Sequence, residues 1–301
     1  MLILVTGATG FIGRHVAAAL IARGHSVVGC TRSVSTASAR YPALRWLEAD
    51  LNRDLDAGAW CPRLVGVDAV INCAGILHES PRETFEAVHA LGARALFDAC
   101  ARSGVKRVIQ FSVAGIHSQA RSHFIACKRY ADEYLEGLDL DWTVLAAAPV
   151  FGPESPFSKV LVALAHLPPL ALIDTRGARI APVHVDDVAA AVAGLVEPEA
   201  PVRTRIALVG PHCVSLEEYV ARLREALSRS RAREIRLSTR LIALTALAVG
   251  LARAGFPTRE LLALLRSDLT GNPGPLRELL GRAPRAIESF LTDATADVRL
   301  S

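Results

Sequence analysis

The first fourteen residues, MLILVTGATGFIGR, run from an apolar stretch straight into three glycines, Gly7, Gly10 and Gly13, at even spacing. Few arrangements need glycine three times in seven residues at the exit of a strand. Gly7 permits a tight turn, Gly10 presents backbone with no side chain over it, and Gly13 lets the following helix pack closely on the strand. The uncovered N–H groups and the dipole at the start of that helix attract an anion. The ligand such a cradle fits is the pyrophosphate of a dinucleotide, held by the segment carrying Gly7, Thr9, Gly10, Phe11, Ile12 and Gly13.

The rest of the first half has the alternation such a cradle requires. SVVGC (26–30), LRWLEAD (44–50), DAVINCAG (68–75), RVIQFS (107–112) and DWTVLAA (141–147) read as buried strands. FIGRHVAAALIAR (11–23) has helical periodicity and stops at Gly24, and Ser80, Pro81 and Glu83 predict the start of a helix running to Ser103 and ending at Gly104. Strands alternating with helices make βαβ units, so the predicted class is α/β: a doubly wound parallel sheet. After residue 150 the rhythm breaks into loop-rich pieces. Residues 1–150 are expected to form a dinucleotide-binding domain to which 182–200 return, and 151–181 and 201–301 a smaller, mostly helical lobe.

Composition narrows the function. The 34 basic and 30 acidic side chains leave a net charge of +4, and no basic run carries interleaved aromatics, so nucleic acid is not an expected partner. Six cysteines include no CxxC pair, which predicts free thiols and no metal site. The opening residues lack the charged start and cleavage site of a signal peptide, so a cytoplasmic location is expected. LIALTALAVGLA (241–252) is too short to span a bilayer; it reads as a packed helix of the lobe, or as a contact for a protein partner or a membrane surface. The second strand ends in GCTRS, where Arg32 stands in place of the acid that would hold a ribose 2′-hydroxyl. A guanidinium suits a 2′-phosphate, so NADP is expected before NAD, with Arg14 able to share the role.

Together, TGATGFIG, Asp50 in EADL, NCAG (72–75), Ser112 in FSVAG, Lys128, FGP (151–153) and PVHVDDVA (182–189) resemble the short-chain dehydrogenase/reductase superfamily in its extended or atypical branch. The likeness is greatest to the atypical group that includes the NDUFA-nine-like subunit of respiratory complex I, with LLRSDLTGNPGPLRELLG (264–281) in support. The resemblance implies that Asp50 and Leu51 border the adenine, that Asn72, Cys73, Ala74 and Gly75 line the cofactor, that Ser112 faces the nicotinamide, and that Lys128 bonds the nicotinamide ribose.

One departure bears on activity. The active relatives carry a tyrosine four residues before this lysine, passing a proton while hydride moves. Here that position is Phe124, in SHFIACK. Phe124 and Lys128 are i and i+4 and share a helix face, so the geometry survives while the acid is absent. Ala146-Ala147 also replaces the usual Arg-Pro. Tyr130 and Tyr134 fall on other faces of the helix; Ser122, His123 and His117 are the nearest polar groups, and His184 resembles a position that packs structurally. Three readings stay open: a dinucleotide-holding structural, assembly or redox-sensing factor; an NADPH-dependent reductase of carbonyl or quinone type with a substitute proton donor; and a sugar-nucleotide epimerase or dehydratase.

Overall fold

Strand β1 (Leu2–Thr6) shows how period-two alternation builds two cores at once. Ile3 and Val5 join Ile71 and Ile109 on one face, while Leu4 joins Val70 and Val108 on the other. Such strands are apolar throughout because helices cover both faces. In this computed structural model, residues 1–116, 122–166, 170–173, 175, 177–227, 234–237 and 263–291 are described.

The chain continues through α1 (Phe11–Ala22), β2 (Ser26–Thr31), α2 (Val34–Arg40), β3 (Arg45–Glu48), α3 (Ala57–Trp60), β4 (Ala69–Asn72), α4 (Gly92–Ser103), β5 (Arg107–Val113), α5 (His123–Glu136) and β6 (Asp141–Ala147). Then follow β7 (Val150–Phe151), α6 (Pro156–His166), β8 (Leu170–Ile173), β9 (Arg179–Ile180), β10 (Val183–His184), α7 (Val185–Gly194), β11 (Thr204–Leu208), β12 (Val214–Ser215), α8 (Leu216–Ala226) and β13 (Glu234–Leu237). The main sheet runs β3-β2-β1-β4-β5-β6-β11, every pair parallel. This is the doubly wound Rossmann order, and its direction reverses between β1 and β4. The crevice at that reversal is where such sheets bind ligands.

Val16 and Leu20 of α1 pack with Val188 and Val192 of α7 over one sheet face. Leu96, Phe97 and Cys100 of α4 and Leu135 of α5 cover the other. A third core, around Phe151, Leu161, Leu164, Tyr219, Leu223 and Phe290, belongs to α6, α8 and the short paired strands beyond residue 150. Asp187, fully buried in the first turn of α7, binds Arg282 at 2.6 Å and the Arg285 N–H at 2.6 Å, which ties the late chain to this helix.

Two local expectations are corrected. Ser80, Pro81 and Glu83 do not open a helix. Ser80 and Glu83 exchange backbone hydrogen bonds at 2.9 and 3.2 Å in a tight reversal. The helix begins after Thr84, whose hydroxyl accepts from the Ala87 N–H at 3.1 Å, while Glu79 accepts from the Phe85 N–H at 2.8 Å. Its first stretch, Glu86–Leu91, has π-helical geometry before α4 takes over. The second correction concerns residues 204–208. Assigned to the smaller lobe from sequence, they pair with β6 from Thr204↔Thr143 to Leu208↔Ala147 and extend the main sheet. Their alternating Ile206 and Leu208 complete the α1/α7 core.

Candidate functional site

The glycines of the cradle divide their work differently from one another. Gly7 adopts φ +64°, and a Cβ there would lie 2.8 Å from the Ala74 nitrogen and the Cys73 carbonyl oxygen. A Cβ on Gly13 would lie 2.2 Å from the Gly7 carbonyl oxygen. Both are therefore fixed by the approach of α1 and β4 to the loop. Gly10 is exposed; its N–H donates to the Gly7 carbonyl at 2.8 Å, and its Cβ would meet only that oxygen, at 3.0 Å. No side chain caps the start of α1. The first-turn N–H groups thus keep their hydrogen-bonding capacity on the open side. A residue with a side chain at 10 would fill that space, and the cradle fits a pyrophosphate.

The cleft opens beside it at the sheet's reversal, with a volume of about 240 Å³. Gly7, Thr9 and Gly10 form one wall, and Cys73, Ala74 and Gly75 form the other. Asp50 and Leu51 stand at the far end with Thr31 and Arg32 at the tip of β2. Asp50 caps its own loop, accepting from the Asn52 N–H at 3.0 Å. Arg32 is ion-paired across the mouth with Glu83, a residue that sequence reasoning had placed in a helix cap. Of the other expected cofactor contacts, Phe11 and Ile12 are half-buried and Gly13 is buried in the first turn of α1.

Arg14 does not line the Arg32 end of the cleft. It lies 3.6 Å from Glu154 and 6.0 Å from the Phe11 ring centroid. His15 approaches the same Glu154 at 3.4 Å and Asp186 at 3.5 Å. Phe11 itself covers Gly152, where a Cβ would come within 2.6 Å of its ring. That close approach gives the glycine of FGP a packing reason.

Behind the cleft a buried polar chain crosses the sheet. Thr6 donates to Asn72 at 2.6 Å, and Asn72 donates to Gln110 at 2.7 Å. Gln110 reaches Asp132 at 3.4 Å, Ser112 donates to the same carboxylate, and Arg205 lies 3.5 Å from it. Asp132 is fully buried, and burial raises its pKa while Ser112, Lys128, Arg205 and Gln110 pull it back. The Ser112 hydroxyl is thus engaged inward. Lys128 is 6% exposed and donates to the Phe111 carbonyl at 2.8 Å; burial lowers its pKa to about 8, against the opposing pull of Asp132. Its charge acts on both Cys73, in the cleft wall, and His89.

Phe124 shares the Lys128 face of α5, as the i, i+4 spacing predicts. It is 3% exposed, its ring edge-on to Phe85 at 5.6 Å and to His89 at 5.1 Å. Tyr130 and Tyr134 stack on each other on the other side of the helix, where the Tyr134 hydroxyl donates to Asp98 at 2.5 Å. Ser122 caps α5 by accepting from the Ile125 N–H at 3.3 Å. His123 is over half exposed, 4.0 Å from Glu79. His184 caps α7, accepting from the Asp186 N–H at 3.2 Å, and packs against Phe151 and Phe290. His117 and the segment 241–252 lie outside the described residues.

His89 is the neighbour that sequence reasoning missed. It sits in the π-helical stretch, with Nε2 2.9 Å from the Ile76 carbonyl oxygen, and its ring would meet a Cβ at Gly75 at 3.0 Å. Such wide turns recur at functional sites, but they break the 3.6-residue phase by which a face is read. Burial, aided by Lys128, lowers its pKa to about 3. The unfolded chain binds this proton first, so the stability His89 lends is complete above pH 6.5 and is lost as pH falls towards 3. Replacing His89 with Phe is expected to flatten the acid limb of the urea midpoint between those values; superimposable profiles would refute the assignment.

The chain is similar to known proteins in sequence or in fold. A ceramide reductase of Caulobacter vibrioides is 29% identical over 190 residues, covering 62% of this chain and 58% of that protein. The mitochondrial NADH-ubiquinone oxidoreductase 40 kDa subunit of Neurospora crassa is 26% identical over 151 residues, covering 50% of this chain and 40% of its own. The chain therefore spans about half the length of these relatives. An NADPH-dependent quinone oxidoreductase from Escherichia coli superposes with a TM-score of 0.71 over 96% of this chain and 98% of that one, at 21% identity, which supports the fold. No described helix is long and apolar enough to cross a membrane. Residues 3–210, from the first strand through β11, match the NAD dependent epimerase/dehydratase family, and to that family, within the extended short-chain dehydrogenase/reductase group, the chain belongs.

Proposed function

We propose that the chain binds NAD(P)(H), with NADP(H) preferred, and holds it without the tyrosine-based proton transfer of its active relatives, as a structural, assembly or redox-sensing factor. The observation that carries this reading is Phe124. In this reading it replaces the tyrosine of the active relatives, and its ring is held edge-on to Phe85 and His89. His89 is held neutral by burial, and the Ser112 hydroxyl is committed to Asp132. In this reading Gly7, Thr9 and Gly10 hold the pyrophosphate, Asp50 and Leu51 border the adenine, Cys73, Ala74 and Gly75 line the nicotinamide side, and Lys128 bonds its ribose. A bound nicotinamide would supply or accept hydride; the protein's own residues would orient it and exclude water.

A second reading, a carbonyl or quinone reductase with a substitute proton donor, is favoured by Lys128, a buried ammonium whose pKa burial lowers to about 8. The names of the ceramide reductase and the quinone oxidoreductase point the same way. The epimerase or dehydratase reading leans hardest on the missing hydroxyl. A partner-protein or membrane-surface contact through 241–252 remains part of the proposal.

The test is a pair of measurements on the full chain. Nicotinamide fluorescence is expected to report binding of NADPH and, more weakly, NADH. No oxidation of bound NADPH by quinones, aldehydes or ketones above the solvent rate is expected. Phe124→Tyr is expected to gain turnover on the order of 10²-fold, the usual contribution of a positioned acid. Turnover by the natural protein overturns the binding-only reading.

A further inference from the structure

We infer that Arg82 is a second residue selecting the cofactor: with Arg32 it would hold a phosphate on the adenosine ribose, and Glu83 is the counter-charge that Arg32 gives up to receive it. The inference rests on the dinucleotide reading above and adds to it a residue outside the fold's phosphate cradle.

Beside the adenine end of the cleft lies a second recess, lined by Arg32, Arg53, Arg63 and Arg82 and by Glu48, Asp50, Asp54 and Glu83. Three of its four arginines are taken. Arg32 pairs with Glu83, Arg53 lies 3.7 Å from Asp50, and Arg63 lies 2.7 Å from Asp54. Arg82 lines the same recess, and its side chain forms no ion pair with a carboxylate among the described residues. Its backbone is fixed there. Asn52 donates to the Arg82 carbonyl at 2.7 Å and accepts from the Thr84 N–H at 3.2 Å, so the Ser80–Glu83 reversal is bolted to the loop that carries Asp50 and Leu51.

Charge decides what this recess can take. Four arginines against four carboxylates leave it neutral overall, so an uncharged ribose gains little from it. A phosphate, with close to two negative charges at neutral pH, gains the uncommitted Arg82 and competes with Glu83 for Arg32. Arginine is the side chain suited to both contacts, since its fork bonds two phosphate oxygens at once. Glu83 limits the gain by repulsion, which makes it a second lever on selectivity.

The experiment compares NADPH and NADH dissociation constants for the natural protein, Arg82→Ala and Glu83→Gln, with 2′,5′-ADP and 5′-AMP as competitors. Arg82→Ala is expected to weaken NADPH and 2′,5′-ADP by about tenfold, the effect of one charge-assisted hydrogen bond, with NADH and 5′-AMP unchanged. Glu83→Gln is expected to tighten NADPH and leave NADH where it was. The inference falls if Arg82→Ala leaves the NADPH/NADH ratio within twofold, or if the natural protein prefers NADH. Absence of binding by every nucleotide would instead overturn the dinucleotide reading itself. If Arg82→Ala fails to fold, Glu83→Gln and the competitor pair still decide.

Discussion

Gly13→Ala is expected to destabilise the protein by about 3 kcal/mol, the upper range for overpacking, and to abolish dinucleotide binding. The added methyl would lie 2.2 Å from the Gly7 carbonyl oxygen and 3.0 Å from the Ala8 Cα. Those are backbone atoms, which cannot rotate away as a side chain would. Relief requires α1 to lift from β1, and the lift moves the first-turn N–H groups. Gly24→Ala is the control. Gly24 also has a positive φ, +84°, but a Cβ there meets nothing within 4 Å. It is expected to cost about 1–2 kcal/mol in backbone strain and to leave binding intact. Urea midpoints and nucleotide titrations on the two variants separate steric closure of the cradle from general loss of stability. Wild-type binding by Gly13→Ala would show that the helix start has slack.

Asp132→Ala is expected to cost about 3–5 kcal/mol, as removal of one member of a buried charged set commonly does. The carboxylate is fully buried and is met by Ser112, Gln110 and Arg205. Its loss strands two buried hydrogen-bonding groups and leaves the guanidinium of Arg205 with Glu136 alone among the described residues. It also removes the pull that opposes the lowering of the Lys128 pKa by burial. Two readouts are expected together: a lower denaturant midpoint at unchanged slope, and a weaker protonation of Lys128. A loss below about 1 kcal/mol would mean that water replaces the carboxylate, and the network would then be incidental to stability.

The parts of the molecule that the sequence disclosed are those governed by local geometry. Three glycines at fixed spacing state a turn, and six apolar runs alternating with helical periods state a parallel sheet. Phe124 and Lys128, four apart, announced a shared face, and the structure buries both on it. What stayed hidden depends on chain segments distant from one another. Glu83 reaches Arg32 across 51 positions. Its Ser80-x-x-Glu83 spacing also imitates a helix cap, while Thr84 supplies the real one. His89 arrives beside Phe124 through a stretch of π-helix that no 3.6-residue count anticipates. Nothing local in the sequence separates Asp132 from the other acids of α5; it is the crossing of Gln110 and Ser112 beneath it that makes it internal. The strand at 204–208 looked like part of the lobe because it follows the lobe in sequence, yet the open edge of β6 claims it.

Phe11 resting on Gly152, with Glu154 held by Arg14 and His15, makes the segment after β7 and the opening turn of α1 one mechanical unit. Any side chain introduced at 152 has to displace an aromatic ring that stands one residue from the anion cradle. Loss of nucleotide affinity in variants at 152 or 154 would accordingly report leverage across that joint, and a mutational survey that scored those positions as ligand contacts would be mapping the hinge and not the pocket.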